Sequence, residues 1–342
     1  MIKKRNLDPS LIQWIMTQTG LGPGVGELHW VAPESSGTSQ FRTQLQRWGV
    51  EQNYKIHTSV VAAEAKTVAN RNDVMLVMPG KYTGTGAAPL TWSKDYTHLL
   101  GLGPPPKREY GGRGVVIRTT STDGVFAALN TADLCQFHNV AFQQWGENAA
   151  CLTAFKEQGH MNTYKGCHFF GQIRDDTIAL TTSSSLEIGG AIQAGSADQF
   201  IECIIGGSGG AKRTAINGTL LFSGEQVGKG VDMQFKDCQF MSWIENANPC
   251  AVLVAESVGT DRLQLFDGCT FYNFRQSHGA TEPSYVFRYA NSVGGQASHD
   301  IILKGGCSRL GFGAWAKDNN YIFSSDALGV TNGGECTAVD ES

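Results

Sequence analysis

Charge is scarce in this chain. Charged residues make up 17% of its 342 positions, below the quarter typical of soluble domains, and the formal net charge is −4. Without a basic face there is no basis for general nucleic-acid binding. No apolar run approaches the roughly 18–20 residues of a membrane span. The nine cysteines form neither CxxC pairs nor Cys/His clusters, which argues against a zinc site. GxSxG and nucleotide-binding loops are missing as well. The start, Met1-Ile2-Lys3-Lys4-Arg5, is basic, yet Asn6-Leu7-Asp8-Pro9 follows in place of the apolar stretch of a secretory signal. The expectation is a chain made and assembled in a reducing cytoplasm, with free thiols and no cofactor.

What is abundant is glycine, at 42 residues, together with a 41% share of hydrophobic residues. Such a composition predicts many short strands joined by tight turns, in an elongated all-β body that one chain of this length can build. A fixed frame recurs along the middle of the chain. An aromatic residue is followed by two mostly polar or small residues, then Cys, one residue more, and an apolar one. It reads Tyr164-Lys165-Gly166-Cys167-His168-Phe169, Phe200-Ile201-Glu202-Cys203-Ile204-Ile205, Phe235-Lys236-Asp237-Cys238-Gln239-Phe240 and Phe266-Asp267-Gly268-Cys269-Thr270-Phe271. An earlier copy, Phe137 to Phe142, puts Val140 where Cys stands, and a later one around Cys307 has extra residues. The cysteines are 36, 35 and 31 residues apart. Variable steps around a constant frame predict stacked coils with loops of differing length, the signature of a parallel β-helix. Tyr164, Phe200, Phe235 and Phe266 would then form one internal ladder, and Cys167, Cys203, Cys238 and Cys269 another. Exchange of Cys for Val suits a thiol that packs as a small hydrophobe.

Upstream, Asp73 to Tyr82 reads as a strand ended by Pro79-Gly80, and short strands follow at Leu90–Trp92, Thr97–Gly103 and Gly114–Arg118. The run NDVMLVMPGKYTGT…LTW…THLLGLG…VVIRTT resembles the opening coils of pectin-lyase-like proteins, and FKDCQF and FDGCTF resemble that superfamily's inner coils. The resemblance spans roughly Asn72 to Phe312 and implies a right-handed parallel β-helix. Four segments are expected: an N-terminal helix and Gly-rich linker (1–26), a small mixed α/β segment with a capping helix (27–71), the β-helix (72–312), and a polar C-terminal segment or tail (313–342). Asp8 caps the first helix, whose Leu11, Ile12, Trp14 and Ile15 are candidates for attachment to a neighbour. The capping helix is predicted over Thr58–Asn70, with Val61, Ala65 and Val68 on its buried face.

Catalytic candidates are few. Asp175-Asp176, beside Arg174, is the only adjacent acidic pair in the coils, and neighbours on a strand point to opposite faces. A solvated turn is the preferred reading of that pair. His98, His138, His160, His168, His278 and His299 are read as surface or turn residues. Trp92, Trp145, Trp243 and Trp315 are candidate sugar platforms, with corner packing or a protein interface preferred for Trp145 and Trp243. The clustered acidic and basic residues of pectate lyases and polygalacturonases are not recognisable here. No metal ligands are assigned.

A helix of the RNLDPSLIQWI type, then a small mixed segment, then ANRNDVMLVMPGKY and coils without an enzyme signature are similar to tailed-phage virion proteins. That resemblance implies a non-enzymatic virion component, expected to be a homotrimeric capsid decoration (cement) protein that binds other virion proteins. The alternative is a tail spike that binds or cleaves host polysaccharide. A secreted pectate-lyase-like enzyme is a third reading, disfavoured by the missing secretory signal and the cysteines. No membrane association is expected.

Overall fold

The computed structural model describes residues 26–32, 43, 55–84, 90–104, 114–119, 125–146, 151–171, 180–189, 196–207, 215–223, 230–244, 249–255, 260–274, 285–289, 299–316, 322–324, 330–331 and 335–336. Their strands form three parallel sheets wound as a right-handed β-helix. A single coil shows the plan. Gln234–Lys236 lies in the first sheet, Gln239–Ser242 in the second and Cys250–Val254 in the third. The chain then re-enters the first sheet at Thr260–Asp267, one rung on. Coils of this kind run from Asp73–Val77 to Ala314–Ala316.

The repeated hexad is the corner between the first and second sheets. Its aromatic residue points inward from a strand of three residues, or of eight at Phe266. A left-handed residue then reverses the chain: Asn139, Gly166, Glu202, Asp237 or Gly268, with φ of 56, 61, 53, 52 and 64°. The next residue, Val140 or Cys, fills the inside of the corner and is fully buried. The cysteine does more than fill space. Each thiol donates to the carbonyl of the ladder aromatic one coil earlier: Cys167 to Phe137, Cys203 to Tyr164, Cys238 to Phe200 and Cys269 to Phe235, at 3.3–3.4 Å. A small side chain with a weak donor thus adds a hydrogen bond between coils that valine could not make. Burial pushes the Cys167, Cys203 and Cys238 thiols well above their ordinary range, as expected of inert core thiols.

Stacking is equally regular. Phe137, Tyr164, Phe200, Phe235 and Phe266 lie in register, with ring centroids 4.9, 4.7, 4.9 and 4.8 Å apart and interplanar angles of 7–11°. That is the spacing of neighbouring strands, about 4.7–4.9 Å, so the sheet itself sets the stack. Phe142 and Phe169 on the second sheet, and Phe155 on the third, close around the ladder edge-on or tilted.

The N-terminal segment joins this frame. Leu28–Val31 pairs parallel with Asp73–Val77, and Ile56–His57 adds outside it. Asp73 is fully buried and fastens the junction, accepting from Glu27 N, Val68 N and the Arg71 guanidinium at 2.7–2.8 Å. The helix is shorter than predicted, Val60–Glu64, capped by the Ser59 hydroxyl. Its buried face is also a correction: Val60, Ala63 and Glu64 turn inward, whereas Val61 and Val68 are 50% and 47% exposed and Ala65 is exposed. The helix breaks after one turn, so a periodicity assumed through residue 70 assigned the wrong side. Near the other end, Ile322–Ser324 extends the first sheet, and Glu335–Cys336 pairs antiparallel with it and with Val330–Thr331.

Candidate functional site

Loop length is not distributed evenly around a coil. From the third coil to the seventh, the corner between the first and second sheets is one or two residues. Segments 145–152, 171–183, 207–217, 243–249 and 274–284 lead into the third sheet, and 189–198, 223–233, 255–259 and 290–298 lead out of it. Sequence variation is therefore delivered to both edges of the third sheet, whose outer face is the natural place to look for chemistry.

That face carries a compact polar group. Lys156 and Glu187, in register on adjacent rungs, form an ion pair at 2.7 Å, with side chains 16% and 10% exposed. Glu187 also accepts from Ser223 Oγ at 2.7 Å and Thr153 Oγ1 at 3.4 Å, and Thr153 shares a hydrogen bond with Ser184. Lys156 lies over the Phe126 ring. Beyond Glu187 the same column continues as Leu221 and Leu253, packed with Cys250. Glu187 is the only carboxylate on the outer face of the described third-sheet strands, and its oxygens are taken up by neighbours. Acid–base cleavage of a glycosidic bond needs two carboxyls held several ångströms apart, about 5–9.5 Å. The described part of this face does not supply them.

A second polar group lies inside the helix. Glu157 ends a third-sheet strand and turns into the core, where it accepts from Asn130 Nδ2 (3.0 and 3.1 Å), Asn162 Nδ2 (3.2 Å), Gly159 N (2.7 Å) and the Tyr164 hydroxyl. Asn162 and Asp198 continue the group along the next corner: Asn162 Oδ1 accepts from Cys135 N, and Asp198 Oδ1 from Asn162 N, both at 2.7 Å. Burial pushes the Glu157 carboxyl up to about 7, with the hydrogen bonds from Tyr164, Asn130, Gly159 and Asn162 restraining the rise. Burial and the charge of Glu157 raise Asp198 well above the carboxylate range. Glu157 and Asp198 are fully buried, so this is a structural network closed to substrate.

Five consecutive strands of the second sheet present a different outer face, beyond the earlier strands whose outer columns carry Lys81 and Arg118. Val140–Gln144, His168–Phe170, Ile204–Gly206, Gln239–Ser242 and Thr270–Asn273 contain no Asp, Glu, Lys or Arg. Ala141, Gln143, His168 and Phe170 are covered, but Met241 and Tyr272 are part-exposed and in register with Leu310, which is 58% exposed. Gln239, Thr270 and Ser308 are exposed beside them.

The ladder residues Tyr164, Phe200, Phe235 and Phe266 are brought together, as are Cys167, Cys203, Cys238 and Cys269 at adjacent corners. Asp175, Asp176, Leu11, Ile12, Trp14, Ile15 and His278 lie outside the described residues. Four histidine and tryptophan readings are corrected. Trp92 is 1% exposed and packs edge-on against Phe137, so it is no sugar platform. His98, His138 and His168 are buried rather than on the surface. His98 pairs with Asn72 Oδ1 at 2.6 Å and His168 with the Gly206 carbonyl at 2.8 Å. Burial lowers all three to about 4. Trp315 turns toward the core against Phe271 and Phe287, under Arg309. Trp145 is part-buried, 6.2 Å from Phe170. Two features went unread in the sequence. Tyr164 is the single hydroxyl in a ladder of phenylalanines, a sign of the buried Glu157, and the charge-free second-sheet strands become a set only once the corners are fixed. Among the described residues no group of three or more His, Cys, Asp or Glu is placed to hold a metal, and no helix is long and apolar enough to cross a membrane.

No family model matches this chain, and no curated protein matches it. Solved structures do. Pectin methylesterase from Aspergillus niger, in penultimately deglycosylated form, superposes with a TM-score of 0.52 at 14% identity, covering 90% of this chain and 85% of that one. The deglycosylated form of that enzyme gives 0.51 at 13% identity, with 92% and 93% covered. At such identity the likeness speaks for architecture alone: this chain has the right-handed parallel β-helix of the pectin-lyase-like fold.

Proposed function

We propose that the chain is a non-enzymatic structural component of a phage virion, a capsid decoration protein that works as a trimer of β-helices packed side by side. The observation that carries the reading is the outer face of the five uncharged second-sheet strands from Val140–Gln144 to Thr270–Asn273, where Met241 and Tyr272 stand in one column with Leu310 of the next strand. Depletion of charge with enrichment of Met and aromatic residues is the composition of a protein–protein interface core. A continuous ladder of stacked rings and corner thiols gives the body the durability a particle surface demands. The phage assignment rests on the sequence resemblance described above. Decoration follows from mass action, since a protein that binds the assembled shell better than its free subunits stabilises the shell.

The test has two arms. Sedimentation of the purified chain is expected to give a trimer, and Tyr272→Glu with Met241→Glu is expected to give a folded monomer. Added to emptied shells of the parent particle, the wild-type protein is expected to bind and raise their disruption temperature. Monomeric wild-type protein, or shells that neither bind it nor gain stability, would overturn the proposal.

A second reading is a tail spike that binds or cleaves host polysaccharide. The fold shared with pectin methylesterases and the delivery of variable segments to both edges of the third sheet favour it. Release of oligosaccharide from host polysaccharide, lost in Asp175→Ala or Asp176→Ala, would support it over decoration.

A further inference from the structure

The thiol column does not end as it begins. Cys167, Cys203, Cys238 and Cys269 are 0–1% exposed, whereas Cys307, one rung on, is only partly buried. The cause is local. Inner corners place one residue between strand end and cysteine, as in Asp267-Gly268-Cys269, but the last has two, in Lys304-Gly305-Gly306-Cys307. Gly305 and Gly306 are both left-handed, at φ 68 and 71°, and are exposed. A Cβ built on Gly306 meets nothing within 4 Å, so the widened corner is open at the residue before Cys307. Yet Cys307 keeps its place in the column. It donates to the Phe266 carbonyl at 3.3 Å, as each inner cysteine does to its own aromatic, and Ser308 N bonds to the Cys269 carbonyl at 3.0 Å. Thr270 and Ser308 are register partners, which sets Cys269 and Cys307 at the same corner position on adjacent rungs.

We propose that Cys307 and Cys269 form an oxidisable pair, Cys307 as the entry thiol and Cys269 as the resolving thiol, which closes a disulfide strap between the last two complete coils. The oxidant is a low-molecular-weight disulfide, RSSR. The Cys307 thiolate attacks one sulfur of RSSR, forming the Cys307–SR bond and expelling RS⁻, which takes up a proton. The Cys269 thiolate then attacks Cys307 Sγ, the Cys307–SR bond breaks and a second RSH leaves. Two cysteine thiols and one RSSR become one protein disulfide and two RSH.

Adjacent strands lie about 4.7–4.9 Å apart, within the 4.4–6.8 Å that Cα atoms of a disulfide usually span. The inner rungs share that spacing but are sealed, which confines the reaction to this end. Hydrogen bonds from Cys238 and Cys307 pull the Cys269 thiol below its ordinary range, more than burial raises it, while the bond to Cys269 and burial push Cys307 up. Only the thiolate fraction of Cys307 attacks, so its raised thiol makes the first step faster as pH rises. A body assembled reduced would gain a covalent strap on entering an oxidising medium.

The experiment treats the full-length protein, under native conditions, with oxidised glutathione and maps the products by non-reducing digestion and mass spectrometry. Wild type is expected to yield a Cys269–Cys307 peptide pair. Cys307→Ser is expected to give neither that pair nor an adduct on Cys269, and Cys269→Ser to accumulate a stable glutathione adduct on Cys307. Repeating each in a Cys336→Ser background separates the reaction from the cysteine farther along the chain, with the same products expected. Cys307 left unmodified in wild type, or a lasting Cys307 adduct with no cross-link, would overturn the proposal. Neither outcome bears on whether the chain decorates a shell.

Discussion

Replacing Tyr164 by Phe isolates one oxygen in the most closed part of the molecule. Every other described ring in the first-sheet ladder from Phe137 to Phe266 is Phe, so the ring stack against Phe137 and Phe200 at 4.9 and 4.7 Å survives the change. What is lost is the hydroxyl that donates to Glu157. The remaining donors, Asn130, Asn162 and Gly159, cannot move to replace it, because Asn130 and Asn162 are each anchored through their Oδ1. The cost therefore depends on the charge of Glu157. In wild type the folded carboxyl sits at about 7, above its ordinary 4.5. Stability from this group is complete below 4.5 and falls as pH rises through 7, by roughly 3 kcal/mol at 1.36 kcal/mol per unit. At pH 5 the folded carboxyl is protonated and Tyr164→Phe removes a neutral hydrogen bond, costing about 1 kcal/mol. At pH 8 it strips a donor from a buried carboxylate, costing about 2–3 kcal/mol. Denaturant unfolding followed by circular dichroism at both pH values measures the difference. Equal losses at pH 5 and pH 8, or a smaller loss at pH 8, would refute the reasoning.

Two further substitutions probe the frame. Phe200→Ala empties a fully buried rung and breaks stacking with both Tyr164 and Phe235, for an expected loss of about 3–5 kcal/mol at any pH, read as a lowered denaturation midpoint. Asp73 is the reverse of Glu157. Burial alone would raise it, but the neighbouring His29 ring and hydrogen bonds from Arg71, Glu27 N and Val68 N outweigh that and hold it far below the carboxylate range. Its contribution is present above about 4 and fades as pH falls below that value. Asp73→Asn is expected to cost about 2–4 kcal/mol at pH 7, with the gap from wild type narrowing toward pH 3.

Much of the frame was readable because each hexad carries its own geometry. An aromatic residue, a residue tolerant of left-handed φ, a small inward side chain and a second apolar residue specify one corner, and four near-copies specify a stack. The capping helix was misread for lack of such repetition: Val61, Ala65 and Val68 fit a helical face only if the helix continues, and it stops at Glu64. Histidines were misread because a lone polar residue says nothing about what lies over it. His168 sits on an outward column of the second sheet, where an exposed position was the reasonable expectation, and is nonetheless covered.

The sequence alone determined the coil and its inward aromatic and thiol columns, since these depend on contacts within a few residues and on their recurrence. Tertiary structure decided which residues from distant coils meet. It joined Glu157 to Tyr164 and Asn130, gathered five uncharged strands into one face, and left one thiol of the column open to solvent. The physical reason is that stacking sets neighbours by coil length, and coil length varies with every loop, so no fixed spacing in the chain announces who stands above whom.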